Sequence, residues 1–424
     1  MSILGAMSTA VSGLKSQAAA FSDISDNVAN SQTVGFKRID TTFEDYLTTS
    51  TAATNDSGAV AARPEYVNTV QGTITQTDNP LAMAISGQGF FSVSLLAGTD
   101  QGGNTVFAKQ GQFTREGDFQ LDKGGRLVNA SGEYLNGWPV SAAGITNTSS
   151  LQPIEVSQAA TRPIETTQVN LSANLPPAAG TTTPQSSPVT IYDAQGQAHE
   201  VTLTFTPQAA ANTWQLGVVD DSGHTIANTP VTFGADGTIA SVGSGAGAIT
   251  TAGAAATITL ATQYPDNAGM QSIKLSLGSI GATTGLTQFA GNAYTLRSID
   301  QNGVPPGSFS SVTTTASGDI VVNYDNGQSR TIAQVPITTF AAPDSLQRQN
   351  GSAFTATTAS GAPVTQAAGA SGAGGIATSS TEASNVDISQ EFSQLVIAQR
   401  AYSANAKIIT TADDLLQQTI DIKR

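Results

Sequence analysis

Two sevenfold apolar repeats, one at each end of the chain, constrain its fold more than any other feature of the sequence. Near the N-terminus, apolar side chains recur every seven residues in one row at Met7, Leu14, Phe21 and Val28 and in a companion row at Leu4, Val11 and Ala18. In the C-terminal segment the row consists of Ile388, Leu395, Tyr402, Ile409 and Leu416, and alternate turns carry Phe392, Ala406 and Ile420. Such spacing is typical of the a and d positions of a coiled coil. We therefore predict a long helix at each end, the second one capped at its start by Asp387.

The two predicted helices need more apolar partners than a single helical hairpin supplies. About five large apolar residues in the first repeat provide roughly 10 kcal/mol when fully buried. Fixing about 25 backbone residues costs on the order of 25 to 50 kcal/mol before hydrogen bonding offsets a part of it. We therefore expect the ends to be loose in a monomer and to become helical on assembly, through contacts between unlike faces that build a ring or an open helical polymer. A hairpin that only stabilises its own domain is the alternative that the pattern leaves open.

Between the helical ends, the sequence is typical of β-structure. Short apolar runs alternate with glycine-containing turns over residues 111–135, as in a β-meander. Two strands around an Asp-x-x-Gly turn are predicted for 189–205, and a further hairpin for 318–327. The predicted fold class is therefore α+β and multidomain, with a terminal α-helical coiled coil and mainly-β inner and outer domains.

The order of these elements predicts a nested chain that runs out from the helical ends and returns to them. Segments rich in Gly, Ala, Ser, Thr or Pro mark the joints. No Lys or Arg occurs between Arg162 and Lys274, which indicates a separate acidic domain. The predicted domains are a helical coiled coil at 1–30 and 385–424, connecting segments at 31–72 and 366–384, an inner β-domain at 73–145 and 290–365, and an inserted outer β-domain at 146–289.

The composition argues against several kinds of function. A formal net charge of −14 does not provide the positive surface that binds phosphate backbones, so no nucleic-acid partner is expected. No run of eighteen apolar residues occurs, so no membrane-spanning helix is predicted. The chain has no cysteine, and neither of its two histidines, His199 and His224, stands at metal-ligand spacing. We therefore predict no catalytic residue, no cofactor and no metal.

Two long motifs resemble the signatures of the axial rod and hook proteins of the bacterial flagellum. The N-terminal motif, NVANSQTVGFKR, contains Asn27, Asn30, Gly35, Phe36, Lys37 and Arg38. The C-terminal motif contains Asn385, Asp387, Gln399 and Arg400. Rod members of this family lack a large middle insertion, whereas residues 85–91, 111–113 and 189–205 resemble strands of its hook members. The resemblance is therefore to the flagellar hook proteins.

This resemblance implies a structural protein and not an enzyme. The family forms an extracellular tubular helical homopolymer in the basal body and hook of the bacterial flagellum, which bends as a universal joint and transmits torque from rod to filament during motility. The resemblance implies contacts with the rod, the hook cap and the hook-filament junction proteins. It also implies export by the type III apparatus without a cleaved signal peptide, and the first residues lack the basic and apolar regions of a secretory signal.

By the same resemblance, the two repeats carry the coaxial packing of the helices. The expected assembly interface is Leu4, Met7, Val11, Leu14, Phe21, Val28, Ile388, Phe392, Leu395, Tyr402, Ile409 and Leu416. Asn30 and Gly35 suit a left-handed or turn conformation after the first helix. Lys37 and Arg38 are expected to pair with acidic groups of neighbouring subunits.

Two alternative functions differ from this one in what they require of the middle of the chain. A distal rod protein, or another axial protein of the flagellum, would lack the inserted outer domain. An extracellular β-rich hydrolase or glycan-binding module would have a cleft with converging carboxylates or a histidine partner.

Overall fold

A computed structural model of the chain describes residues 3–50, 55–99, 102, 105–108, 110–177, 183–264, 269–291 and 293–422. The chain forms two compact units. The first comprises Met1–Gln158, Ser311–Asn323 and Ser329–Arg424, and the second comprises Ala159–Ser310 and Tyr324–Gln328. The second unit is thus inserted in the sequence of the first, but its main segment begins and ends later than the insertion predicted at 146–289.

Both predicted terminal helices are present in the single chain. Helix α1 spans Ile3–Ala29 and helix α2 spans Ile388–Ile422, which makes them 27 and 35 residues long. At about 1.5 Å per residue they extend roughly 40 and 52 Å. The predicted cap of α2 is confirmed, since the Asp387 Oδ1 atom accepts hydrogen bonds from the backbone N–H of Ser389 at 2.8 Å and of Gln390 at 3.2 Å. Within the described part of the chain, no helix has both the length and the apolar character needed to cross a membrane.

A long β-hairpin packs against α1. Its antiparallel strands are β1 (Ile39–Ser50) and β2 (Asn55–Tyr66). The Ser16 hydroxyl donates to the carbonyl oxygen of Val60 at 3.0 Å, and the Thr41 hydroxyl donates to Asp23 Oδ2 at 2.6 Å. The stretch 31–72, for which the sequence predicts a connecting segment, therefore contains a hairpin that covers one side of the helix.

The remaining strands are short in the first unit and longer in the second. Up to residue 158 they are β3 (Ile74–Gln76), β4 (Met83–Ser86), β5 (Phe90–Thr99), β6 (Thr105–Phe107), β7 (Gln112–Thr114), β8 (Phe119–Leu121), β9 (Leu127–Asn129), β10 (Glu133–Pro139) and β11 (Gln152–Pro153). The next group is β12 (Gln168–Asn174), β13 (Gln185–Tyr192), β14 (Ala198–Pro207), β15 (Thr213–Val219), β16 (Thr225–Phe233), β17 (Ile239–Val242), β18 (Ala255–Gln263), β19 (Met270–Ser279), β20 (Leu286–Thr287) and β21 (Thr295–Gln301). The last group is β22 (Phe309–Thr314), β23 (Asp319–Tyr324), β24 (Ser329–Gln334), β25 (Ile337–Thr339), β26 (Gln347–Arg348), β27 (Ala353–Thr355), β28 (Val364–Gln366), β29 (Gly375–Thr378) and β30 (Ser380–Glu382).

The β-domain of the first unit is built on one sheet of short and long strands. Its main strand order is β22-β23-β24-β10-β5-β7-β27-β26. The predicted meander is present as consecutive antiparallel pairs of β8 with β9 and of β9 with β10, whereas β7 pairs with β5. The predicted hairpin at 318–327 is confirmed as the antiparallel pair of β23 and β24. Edge-to-face phenylalanine rings fill part of its core, at Phe90, Phe113, Phe340 and Phe354.

The second unit has two five-stranded sheets that share one apolar core. One sheet has the order β13-β14-β15-β16-β17, and the other has the order β18-β19-β12-β20 with β21 paired to β12. Buried residues alternate with more exposed ones along β14 and β15, which places large apolar side chains such as Phe205 and Trp214 inside. The predicted turn between β13 and β14 is confirmed, because Gly196 lies at φ +84° and its N–H donates to the carbonyl oxygen of Asp193 at 3.0 Å.

In the β-domain of the first unit, two buried carboxyl groups accept hydrogen bonds from the same side-chain amide. The side-chain NH₂ of Asn129 donates to Glu133 Oε2 at 2.8 Å and to Glu116 Oε2 at 3.2 Å. Glu133 is almost completely buried, and among the described residues its other oxygen has no hydrogen-bond partner. Burial raises the pKa of Glu133 to about 7.

We predict that Glu133→Gln stabilises the protein above neutral pH. Because the folded state raises the pKa of this carboxyl from 4.5 to about 7, its contribution to stability is complete below pH 4.5 and is lost as the pH rises through about 7. Between pH 5 and pH 8 the unaltered chain should lose on the order of 2 to 3 kcal/mol more unfolding free energy than Glu133→Gln. Denaturant unfolding at both pH values measures this difference. Glu155→Gln is the matched control, because Glu155 is exposed and its loss should leave the pH profile of stability unchanged. Equal pH profiles for Glu133→Gln and the unaltered chain would contradict the raised pKa of Glu133.

Candidate functional site

The two terminal helices lie against each other in antiparallel order. Asn27 of α1 contacts Glu391 of α2, and the ring of Phe21 meets that of Tyr402 edge to face with centroids 6.4 Å apart. Nearer the chain ends, a Cβ atom added at Gly13 would lie 2.9 Å from Asn405 Nδ2. The N-terminal half of α1 thus faces the C-terminal half of α2, so the start of α1 and the end of α2 lie at the same end of the helix pair.

The predicted apolar rows are only partly covered within one chain. Half-buried members of the expected interface are Met7, Leu14, Phe21, Val28, Leu395, Ile409 and Leu416. Exposed members are Val11, Ile388, Phe392 and Tyr402, with 42% of Val11 and 54% of Phe392 accessible. The side chain of Leu4 lies outside the described residues. The helix pair therefore retains a large apolar surface that its own chain does not cover.

Other residues form the fully buried part of the helix pair. Most of them are small or polar, namely Ala10, Ser16, Ala20, Asn27, Glu391, Ala398 and Ala412, and the remaining one is Ile24. The sevenfold rows do not include them, because α1 contacts the β1–β2 hairpin as well as α2 and so is buried on a second side. Ala10, Ala20 and Ile24 recur at a spacing that places them on one side of a helix. This spacing is the sequence signal that could have identified them as buried.

The signature residue Asn27 ties the end of α1 to the hairpin and to α2. Its Nδ2 donates to the carbonyl oxygen of Ile39 at 2.7 Å, and its Oδ1 accepts the N–H of Ile39 at 2.9 Å. The same amide donates to Glu391 Oε2 at 3.1 Å. Glu391 is completely buried, and burial raises its pKa. Asn27 thus satisfies backbone and side-chain groups that the fold removes from water.

Where the two helices join the β-domain, one buried carboxylate binds two cationic side chains. Glu382 Oε1 accepts hydrogen bonds from Lys37 Nζ at 2.6 Å and from the backbone N–H of Gly72 at 2.8 Å, and Oε2 accepts from Arg115 Nη1 at 2.9 Å. All three charged side chains are almost completely buried. Burial lowers the pKa of Lys37, and the carboxylate of Glu382 acts in the opposite direction. We call Lys37, Arg115 and Glu382 the junction cluster.

The structure corrects the expectation for Lys37 and shows a partner of Arg38 within the same chain. Lys37 pairs with Glu382 of its own chain, and Arg38 pairs with Asp40 at 2.7 Å. The sequence predicts acidic groups of neighbouring subunits as the partners of both side chains. A pattern of adjacent charges does not show burial, and Lys37 becomes buried because residues distant in sequence fold over it.

Other signature residues support the same junction. Gly35 has φ +71°, and a Cβ atom there would lie 2.4 Å from the backbone nitrogen of Glu116, so this position requires glycine. The predicted turn at Asn30 is present, since the backbone N–H of Thr33 donates to the carbonyl oxygen of Asn30 at 3.0 Å. Asn385 accepts the N–H of Arg38 at 2.7 Å and donates to the carbonyl oxygen of Val67 at 3.0 Å.

The last signature residues do not all lie at the junction. Phe36 is buried under the guanidinium of Arg348, which lies 4.1 Å from the ring centroid. Gln399 and Arg400 are exposed on α2, away from the junction cluster.

The second unit contains one buried histidine among acidic groups. His199 lies 2.9 Å from Asp221 Oδ2 and 3.4 Å from Asp193 Oδ2, and its ring stacks on Tyr264. Burial raises the pKa of the Tyr264 hydroxyl to about 12. Within the described ranges, no three His, Asp or Glu side chains are grouped as metal ligands.

Models of flagellar protein families match most parts of this chain. The flagella basal body rod protein model matches 7–37, and the flagellar basal body rod FlgEFG protein C-terminal model matches 377–422. The flagellar hook protein FlgE/F/G D1 domain model matches 84–174, and the flagellar basal body protein FlaE D2 domain model matches 161–304.

Similarity to curated relatives extends over the full length. The flagellar hook protein FlgE of Brucella abortus biovar 1 is 33% identical over 431 residues, which cover 100% of both chains. The chain belongs to the flagellar hook protein family. Another member, the FlgE of Escherichia coli strain K12, is 31% identical over 438 residues that cover 99% of this chain and 100% of the relative. The crystal structure of the Helicobacter pylori hook protein FlgE2 has a TM-score of 0.46 and 14% identity, covering 71% of this chain and 98% of that one.

We predict that Glu382→Gln destabilises the first unit strongly. The change leaves two buried cations without a balancing carboxylate, and breaking such a pair lowers the unfolding free energy by about 3 to 5 kcal/mol. Glu44→Gln is the matched control, because Glu44 pairs with Arg63 at 3.0 Å while both side chains stay exposed, and no measurable change is expected there. Denaturant unfolding of the three proteins tests the prediction. Equal stabilities for the two variants would show that the junction cluster does not hold the unit together.

Proposed function

We propose that this chain is the structural subunit of the flagellar hook and assembles with copies of itself into a tubular helical polymer. The observation that carries the proposal is the apolar surface that remains on α1 and α2 when they are paired within one chain. Membership of the hook protein family supports it, because relatives named as flagellar hook proteins match over the full length.

The exposed apolar residues of the helix pair are numerous enough to stabilise contacts between copies. On α2 alone, Phe392, Val396, Ile397, Ile408, Leu415 and Ile420 are exposed. Each large apolar side chain contributes about 1.5 to 3 kcal/mol when it becomes fully buried. Exposed large apolar side chains in such number on one helix are typical of protein interaction sites. Repeated contacts between copies also require that each copy presents its helices in the same position. The junction cluster provides this, since it holds the helices at a fixed place on the β-domain.

The inserted second unit favours the hook over the rod among axial proteins of the flagellum. Residues 161–304 match a D2 domain model, and a large middle insertion distinguishes hook members of the family from rod members. A hydrolytic function has less support, because the His199 group is buried and stacked on Tyr264.

The further parts of the proposal follow from family membership. We include contacts of the polymer with the rod, the hook cap and the hook-filament junction proteins, and export by the type III apparatus without a cleaved signal. We also include bending of the polymer as a universal joint. The absence of Lys and Arg between Arg162 and Lys274 suits bending, because ion pairs between neighbouring subunits would favour one fixed distance between them. The distribution of curvature along the polymer in electron micrographs tests the bending, and uniformly straight tubes would oppose it.

We predict that Val11→Glu and Phe392→Glu each weaken polymerisation while the subunit stays folded. Both side chains are already exposed in one chain, so a charge there disturbs the monomer little but opposes burial between copies. The critical concentration should rise at least about tenfold, since tenfold corresponds to 1.4 kcal/mol.

Sedimentation and electron microscopy measure the polymer, and circular dichroism measures the fold. Met270→Glu is the control, because Met270 is 76% exposed in the second unit and lies outside the helix pair. Normal tubes from both helix variants would refute the assignment of the interface.

A further inference from the structure

A groove beside the paired helices combines an apolar lining with negative charge. It lies within the first unit between α1, the β1–β2 hairpin and the first half of α2, and it has a volume of about 440 Å³. Its apolar lining includes Ala20, Phe43, Ile397 and Ala401. Ile397 and Phe43 are 67% and 46% exposed, so this apolar lining is accessible to an occupant.

Two carboxylates face each other on the hairpin at this groove. Asp40 of β1 is the direct cross-strand partner of Glu65 of β2, and both line the groove. Like charges at opposed positions of an antiparallel pair destabilise it. The hairpin therefore carries an unfavourable arrangement that a positive charge would relieve.

The chain itself neutralises only part of this charge. Arg38 binds Asp40 Oδ2 at 2.7 Å. Among the residues that the structure describes, Asp40 Oδ1 is buried without a hydrogen-bond partner and Glu65 has no ion-pair partner. The groove thus suits an occupant that is apolar along its length and carries a cation at one point.

Helix α2 presents a surface of this character on another side. Phe392, Val396, Arg400 and Lys407 share one helix face, because they are separated by four, four and seven residues. We call these four residues the basic face. Phe392 and Val396 are exposed, and no ion pair to Arg400 or Lys407 occurs within the described ranges.

A single chain cannot place this face in its own groove. The groove is lined by Ile397, Ala398 and Ala401 of the same helix, and successive residues of a helix are turned by about 100°. The groove side and the basic face of α2 therefore point in different directions.

We infer that the groove of one subunit receives the basic face of α2 from a second copy of this chain, with Arg400 placed between Asp40 and Glu65. The inference rests on the proposed self-assembly and names one of its contacts. Each copy offers one groove and one basic face, so the contact is heterologous and repeats from copy to copy. A cation at this place lies beside the exposed carboxylate of Glu65 and offsets its repulsion with Asp40.

Charge reversal on each side tests the contact. Glu65→Lys and Arg400→Glu should each raise the critical concentration of polymerisation at least about tenfold, since like charges brought together at an interface cost several kcal/mol. The double variant should polymerise at the concentration of the unaltered chain. Both side chains are exposed, and circular dichroism with thermal unfolding checks that the variants are folded.

Mixing the two single variants distinguishes a contact between copies from one within a chain. The reversed groove of Glu65→Lys fits the reversed helix of Arg400→Glu, and the unaltered groove of the second fits the unaltered helix of the first. An equal mixture should therefore polymerise when neither variant does so alone. Rescue in the double variant without rescue in the mixture would place the pair within one chain and overturn the inference.

Lys123→Glu provides the matched control. Lys123 is an exposed lysine in the turn between β8 and β9, and the change alters the charge by the same amount as Arg400→Glu. It should polymerise normally. Unchanged polymerisation of both single variants would overturn the contact and leave the polymer standing. Failure of the unaltered chain to polymerise would overturn the proposed function itself.

Discussion

The carboxylate of Glu382 is the interaction on which the arrangement of the first unit depends. It binds Lys37 beyond the end of α1 and Arg115 of the β-domain, and its own segment leads into α2. A buried ion pair adds little net stability compared with apolar residues of similar size, but removing one partner is strongly unfavourable. The junction cluster therefore acts mainly by specifying one position of the helices on the β-domain. Exposed apolar helices can make repeated contacts with other copies only when each copy presents them in the same way.

Features that depend on local pattern were predictable from the sequence. The sevenfold rows identify α1 and α2, and Asp387 marks the start of α2. The turns at Gly196 and around 325–328 identify two hairpins, because glycine and asparagine favour the backbone conformations that tight turns require. These predictions need information from only a few neighbouring residues, and the structure confirms them.

Features that depend on distant residues were not predictable in this way. The β1–β2 hairpin lies in a polar stretch with weak alternation, and its packing on α1 gives it a stability that local propensity does not show. Lys37 looks like a surface charge in the sequence, since its partner Glu382 is 345 positions away. The role of Asn27 was not predictable either, because its partners Ile39 and Glu391 come from two different elements. The family resemblance indicated that these positions matter, but their roles became apparent only from the contacts.

The separation of the junction partners has a consequence for the time at which the first unit can fold. Glu382 stands near the end of the chain, and β30 and β29 pair with β3 and β4 near its beginning. Contacts between such distant residues form slowly, because a long loop must close before they contribute any stability. A nascent chain that ends before Glu382 therefore cannot yet form the junction cluster or the helix pair. Premature assembly of incomplete chains is thereby disfavoured by the topology itself.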